Sequence, residues 1–178
     1  MKFLIASDLH GSAYYAEKFK AAAERENADL YILLGDIYNH GPRNPLPEEY
    51  APMRVAEILN GIKDKLVVIK GNCDSEVDTM ISEFDFIPDM ALNSGRKTVF
   101  LTHGHVYNKD HMPKTKFDAL IYGHFHTGFI IKQKGVTIAN AGSLSLPKNG
   151  TANSYLTLEN AVLTLKDIDG NIISEEKI

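Results

Sequence analysis

Short, nearly unbroken apolar runs recur along the chain at Phe3–Ala6, Leu30–Leu34, Leu66–Ile69, Val99–Leu101 and Ala119–Tyr122. Each has strand length, and the lack of alternation is the pattern of strands covered on both faces. Two stretches between the first three carry helical signals. Ala13–Asn27 is rich in Ala, Glu and Lys and follows Ser12, a good N-cap. Pro52–Ile62 sets Val55, Ile58, Leu59 and Ile62 at helical spacing, with Pro52 in the first turn. Strand–helix–strand alternation predicts an α/β half with a parallel sheet. Beyond about Val99 the texture tightens. Strands are expected at Phe129–Lys132, Val136–Ala141, Tyr155–Leu158, Ala161–Leu165 and Ile172–Ser174, separated by turn signals such as Lys134-Gly135 and Asp169-Gly170-Asn171. Such short connections predict antiparallel pairing. No repeat, low-complexity tract or linker divides the chain. The expectation is one domain over residues 1–178 in which two stacked sheets are flanked by helices.

Composition narrows the classes. Hydrophobic residues make up 44% and charged residues 24%, as in globular rather than disordered chains. The net charge of −4, without a dense Lys/Arg block, argues against general nucleic-acid or membrane-surface binding. The single cysteine, Cys73, has no intramolecular disulfide partner. The first apolar run is too short for a signal-peptide core, and no run approaches a membrane span. A cytoplasmic protein is expected.

The chemistry collects where strands end. Phe3–Ser7 leads into Asp8-Leu9-His10-Gly11, Leu30–Leu34 into Gly35-Asp36, and Leu66–Lys70 into Gly71-Asn72-Cys73-Asp74. Val99–Thr102 leads into His103-Gly104-His105, and Ala119–Tyr122 into Gly123-His124-Phe125-His126. In open α/β sheets, sites form at the carboxyl ends of strands, so these turns should converge. Any one of them is an ordinary turn. Together they hold five of the seven histidines with Asp8, Asp36 and Asn72. Burying so many polar groups at one sheet end requires mutual compensation, which metal ions supply. A mixed nitrogen and oxygen shell suits Mn, Fe, Co, Ni or Zn better than Ca or Mg. Two divalent ions against two carboxylates leave a locally positive pocket for a phosphate anion inside an acidic protein.

The ordered set Asp-x-His, Gly-Asp, Gly-Asn-x-Asp, His-Gly-His and Gly-His-x-His resembles the calcineurin-like metallophosphoesterase superfamily, over about residues 1–145. At finer grain, Gly35–Asn44 and Lys70–Asp78 are similar to the small bacterial phosphodiesterases of the YfcE type. The resemblance implies a four-layer αββα sandwich of two mixed β-sheets flanked by helices. It implies Asp8, His10 and His126 on one ion, Asn72, His103 and His124 on a second, and Asp36 bridging both. Two ions about 3.5–4 Å apart clamp a phosphoryl group and acidify a bridging water that attacks in line. No protein nucleophile is required, so Cys73 is not expected to form a covalent intermediate.

Departures from the family pattern shape the rest of the reading. Family phosphatases carry His after the Asn as a proton donor; Cys73 stands there, and Lys70 replaces a frequent Arg. The catalytic candidates on the protein are therefore Cys73, in the donor position, and His105, as donor or as support for the metal ligands. A thiol is a poor general acid near neutral pH, so aryl oxides should leave fastest. Tyr38–Pro52 starts two residues after Asp36 and should overhang the ions, with His40 and Arg43 joining Asn72 at the substrate. Its prolines equally suit a stiff surface loop. Asn140–Ser143 should shape the same rim, and His111 and the C-terminal strands read as scaffold. The expected function is hydrolysis of small phosphodiesters with two divalent ions, most simply Mn. The alternatives are a phosphomonoesterase on the same ions, and a protein-interaction scaffold like the retromer subunit Vps29. All seven ligand positions hold ligand types, which favours an enzyme. A homo-oligomer is compatible with the resemblance.

Overall fold

The computed structural model describes the whole chain, residues 1–178. The twelve strands are β1 (Lys2–Ala6), β2 (Leu30–Leu33), β3 (Leu66–Ile69), β4 (Phe86–Ile87), β5 (Asp89–Ser94), β6 (Lys97–Thr102), β7 (Ala119–Tyr122), β8 (Phe129–Gln133), β9 (Val136–Asn140), β10 (Ser154–Glu159), β11 (Val162–Asp167) and β12 (Ile172–Lys177). Two α-helices, α1 (Ala13–Arg25) and α2 (Pro52–Asn60), separate the first three strands. Neither is long and apolar enough to cross a membrane. One sheet runs β12-β11-β10-β1-β2-β3-β4, the other β5-β6-β7-β9-β8. Both are mixed: β1 to β4 are mutually parallel while β10 to β12 return antiparallel, and β6, β7 and β9 are parallel between antiparallel edges.

The unbroken apolar runs are explained by burial on both faces. In β1, Leu4 and Ala6 pack under α1 and α2, while Phe3 and Ile5 face the second sheet. In β2, Tyr31 and Leu33 face the helices and Ile32 the sheet interface. In β6, Val99 and Leu101 face the interface and Phe100 the outside. That outer face is covered by Tyr107, Met112 and Phe117 from the irregular segment between β6 and β7. The fourth layer therefore contains no regular helix. Asn108 Oδ1 accepts from the N–H groups of Asp110 and His111, turning the chain where a helix would have to run, and Pro113 follows.

Helix α1 begins as expected, with Ser12 Oγ accepting from Tyr15 N–H at 3.2 Å. Its far end is wired to the antiparallel half. Glu26, almost fully buried, accepts from Lys2 Nζ, Lys166 Nζ and the Tyr155 hydroxyl at 2.7, 2.7 and 2.8 Å. The edge strands β4 and β5 are harder to read because only one flank of each is paired, β4 is two residues long, and β5 holds just three apolar residues, Met90–Leu92, between polar ends.

Candidate metal centre

The carboxyl ends of β1, β2, β3, β6 and β7 meet at one end of the sheet interface. Hydrogen bonds cross the seam there: among them, His124 N–H donates to Asp8 Oδ2 at 2.9 Å, and His103 Nδ1 donates to Leu34 O at 2.6 Å. The turns are tight enough to force unusual backbone. Asp8, His10, Asp36, His124 and His126 have φ of 58°, 50°, 56°, 65° and 58°. For non-glycine residues this left-handed region costs about 1–3 kcal/mol each, and such strain clusters at functional sites. Gly123 permits the closest approach. A Cβ there would fall on Ser7 Oγ, 2.5 Å from Ser7 Cβ and 2.7 Å from Asp8 Oδ2.

The seven expected ligand residues assemble into two clusters that share one carboxylate. In the first, His10 Nε2 and His126 Nε2 lie 3.1 Å apart, at 3.5 and 3.2 Å from Asp8 Oδ1. In the second, His103 Nε2 lies 3.1 Å from Asn72 Oδ1, and a nitrogen of His124 lies within 4.8 Å of the His103 and Asp36 donor atoms. Asp36 Oδ2 stands between them, 3.8 Å from His10 Nε2 and 3.4 Å from His103 Nε2. Its Oδ1 is fixed by Cys73 N–H at 2.8 Å.

Tautomers decide what these distances mean. The Nδ1 atoms of His10, His103 and His126 donate to the carbonyls of Asn39, Leu34 and Leu146 at 2.7, 2.6 and 2.6 Å. A carbonyl only accepts, so Nδ1 carries the proton and the neutral ring presents a lone pair at Nε2. Two Nε2 lone pairs and the buried Asp8 Oδ1, which has no hydrogen-bond partner, then face one another. Such a cluster persists only with positive charge between its members, either a proton or a cation. The donor set and its orientation fit divalent metal ions.

The ionisation behaviour of the ion-free protein says the same. Burial opposes the charged form of Asp8, yet His10 and His126 hold its carboxyl well below the usual range. Burial likewise opposes ionisation of Asp36, and His103 outweighs it. Burial would lower His103, but Asp36 and Asp8 raise it to about 9. His124 is different: burial, reinforced by the charge of His103, depresses it to about 4, so it is neutral and free to coordinate at ordinary pH. Burial and the charge of Asp36 push the Cys73 thiol up to about 12, leaving it protonated.

A cleft of about 820 Å³ opens beside the clusters, lined among others by Asp36, Asn72, Cys73, His124 and His126. The segment after Asp36 overhangs it as expected, contributing Asn39, Arg43 and Asn44. His40 does not line the cleft; its ring packs edge-on against Tyr50, with centroids 5.4 Å apart. His105 is exposed, 5.3 Å from His103 and 6.3 Å from His124 between ring centroids, and also lies outside the cleft lining.

Several contributors carry no motif of their own. Asp74, nearly fully buried, accepts from Asp36 N–H at 2.9 Å, Ile37 N–H at 2.8 Å and Gly71 N–H at 2.7 Å, tying two site turns together. Burial raises its carboxyl to about 6. Ser143 Oγ and Ser145 Oγ donate to Asp8 O at 2.8 and 3.0 Å, and Asn140 Nδ2 donates to Gly123 O at 2.6 Å. Lys148, on the same rim, donates its backbone N–H to His126 O at 2.8 Å and lines the cleft. The Gly-Asn-x-Asp spacing contained the signal for Asp74, and Asn140–Ser143 was expected at the rim; Ser145 and Lys148 had no signal.

The sequence matches the calcineurin-like phosphoesterase superfamily domain over residues 1–161. It is 40% identical over 181 aligned residues to the phosphodiesterase YfcE of Escherichia coli strain K12, covering 100% of this chain and 98% of that protein. Identity to the probable metallophosphoesterase YsnB of Bacillus subtilis is 31% over 189 aligned residues, covering 98% and 96%. A solved structure of E. coli YfcE superposes with a TM-score of 0.95 at 39% identity, with 100% of both chains covered. Vps29 of Chaetomium thermophilum shares the fold, with a TM-score of 0.67 at 17% identity, covering 100% of this chain and 97% of that one. A profile match over most of the length, joined to full-length relatives at these identities, means that the chain belongs to the calcineurin-like phosphoesterase superfamily.

Proposed function

We propose that the protein is a metal-dependent phosphodiesterase acting on small phosphodiesters with two divalent ions, Mn in the first instance. The observation that carries the reading is the pair of nitrogen and oxygen clusters sharing Asp36, with lone pairs turned inward and the buried Asp8 Oδ1 left without a donor. Asp8, His10 and His126 would hold one ion, Asn72, His103 and His124 the other, with Asp36 available to both. When bound, the ions supply the charge that polarises a phosphoryl group and acidifies water.

The chain's own groups do the rest. Backbone carbonyls orient His10, His103 and His126, and Asp74 holds the turn that carries Asp36. Arg43 and Lys148 bring positive charge to the cleft for the phosphate oxygens. Cys73 stands beside the reacting region as a neutral thiol; at about 12 it yields its proton reluctantly, which favours esters whose leaving oxygen needs little protonation. The name phosphodiesterase borne by the E. coli relative supports the diester over the monoester.

The test is to strip the protein with chelator and assay bis(p-nitrophenyl) phosphate beside p-nitrophenyl phosphate, without metal and with Mn, Ni, Co, Zn or Mg. Diester turnover restored by Mn or its neighbours and abolished in His124→Ala is expected. A monoester preference would keep the site and overturn the substrate; metal binding without any turnover would favour a binding scaffold.

A further inference from the structure

The cleft is polar on nearly every side, and Phe125 is the one Phe, Tyr or Trp that lines it. Phe125 stands between His124 and His126. In an extended strand the middle of three residues points away from its neighbours. Left-handed φ values of 65° at His124 and 58° at His126 break that alternation, and all three residues line the same cleft.

The ring is held but not covered. Tyr122 and His124 make T-shaped contacts with it, at centroid distances of 5.9 and 5.1 Å and interplanar angles of 75° and 81°. Its N–H donates to Gly123 O at 2.7 Å, and its carbonyl accepts from Thr127 Oγ1 at 3.2 Å. Even so, Phe125 remains 46% exposed. A lone exposed Phe elsewhere on the surface needs no explanation. This one sits within a residue of both ligand clusters, on a fixed backbone, in a cleft whose other walls carry Arg43 and Lys148. Cations for a phosphate anion and a half-exposed aromatic ring beside them suit an aromatic phosphate ester.

We propose that Phe125 stacks a planar aromatic group carried by the phosphate ester, so that the substrate class is phosphate esters bearing an aryl ring or a nucleobase. The proposal rests on the phosphodiesterase reading of the same cleft and narrows its substrate. With the Mn-loaded enzyme turning over bis(p-nitrophenyl) phosphate, phenylphosphonate should compete about tenfold more tightly than methylphosphonate, the usual scale of one aromatic stack. Phe125→Leu should erase that difference by weakening phenylphosphonate alone, and Phe125→Tyr should keep it. Equal competition in the wild type, or an unchanged ratio in Phe125→Leu, would overturn the proposal. AMP as a third competitor separates the two ring sources. If it follows phenylphosphonate through the variants, a nucleobase reaches the ring; if it follows methylphosphonate, the ring takes aryl groups attached close to phosphorus.

A second readout needs no turnover. The chain has no tryptophan, so Phe125→Trp carries the sole indole. Saturable quenching of its fluorescence by p-nitrobenzylphosphonate, matched by none from methylphosphonate, is expected in the Mn-loaded protein. A linear, collisional response would refute stacking. Absence of diester turnover with every metal would instead refute the phosphodiesterase reading, while the fluorescence titration still reports on Phe125.

Discussion

Substituting Gly123 by alanine adds one methyl group at the seam between the sheets, and its effects can be worked from the structure. The new Cβ would overlap Ser7 Oγ and stand 2.5 Å from Ser7 Cβ and 2.7 Å from Asp8 Oδ2, where ordinary contacts begin at 3.4 Å. Ser7 and Asp8 are fully buried and cannot swing into solvent. Overpacking of this kind costs about 1–3 kcal/mol. In a chain of this length each kcal/mol lowers Tm by about 2–4 °C, so calorimetry should show a fall of roughly 2–12 °C. The chemical effect should be larger. Asp8 must retreat by most of an ångström, breaking its bond from His124 N–H, and misplacement near 1 Å can cost about a hundredfold in rate. Expected are loss of about one bound ion per chain by elemental analysis and a kcat/KM at least about a hundredfold lower. Adding Ser7→Gly removes the Ser7 collisions but not the one with Asp8. The double variant should therefore recover Tm without recovering the ion. Full metal content and activity in Gly123→Ala, or joint recovery of Tm and metal in the double variant, would refute the reasoning.

Three further outcomes are expected. Glu26, held at about 2 against a usual 4.5 because Lys166, Lys2 and Tyr155 together outweigh its burial, contributes about 3 kcal/mol that is present above pH 4.5 and lost as pH falls toward 2. Glu26→Gln should lose that much in urea unfolding at pH 7 and converge with the wild type in acid; parallel pH profiles would exclude the network as the cause. His103, raised to about 9 without ions, must release its proton to coordinate, so Mn affinity by calorimetry should rise about tenfold per pH unit from pH 7 until it levels near 9. A flat profile would mean that His103 does not ligate. Asp74→Ala strands three buried N–H groups and should cost about 2–3 kcal/mol or more, with loss of activity exceeding the loss of fold at a temperature where both proteins are native.

Much of this architecture was legible in the order of residues because its physics is local. Runs such as Leu30–Leu34 carry no alternation because they are covered on both faces, and Ser12 and Pro52 mark helix starts by their own chemistry. What escaped depends on partners distant in sequence. Strand β5 has only Met90–Leu92 apolar between polar ends and exists through its pairing with β6; β4 is two residues long and exists through β3. The layer over the outer sheet face is irregular because Asn108 and Pro113 turn the chain, although Tyr107, Met112 and Phe117 supply enough apolar surface. The donor clusters were readable from Asp, Asn and His after successive strands. Asp74 was visible but read only as part of a motif, since three N–H groups converging on it come from two separate turns. His40 was expected at the substrate from its position after Asp36, whereas the ring finds Tyr50 on the returning end of the same loop.

The left-handed backbone at Asp8, His10, Asp36, His124 and His126 has an evolutionary corollary. Its conformational cost belongs to the folded chain whether or not ions are bound, and glycine escapes most of it. Each such position thus opposes activity to durability. A lineage released from selection for catalysis would relax these turns by replacing the side chains with glycine, one at a time, while the sandwich stays intact. At His10 and His126, whose side chains hydrogen-bond only to a carbonyl and to each other, glycine would relieve the backbone without stranding a buried N–H, whereas at Asp8 and Asp36 it would strand the N–H groups of His124 and Cys73.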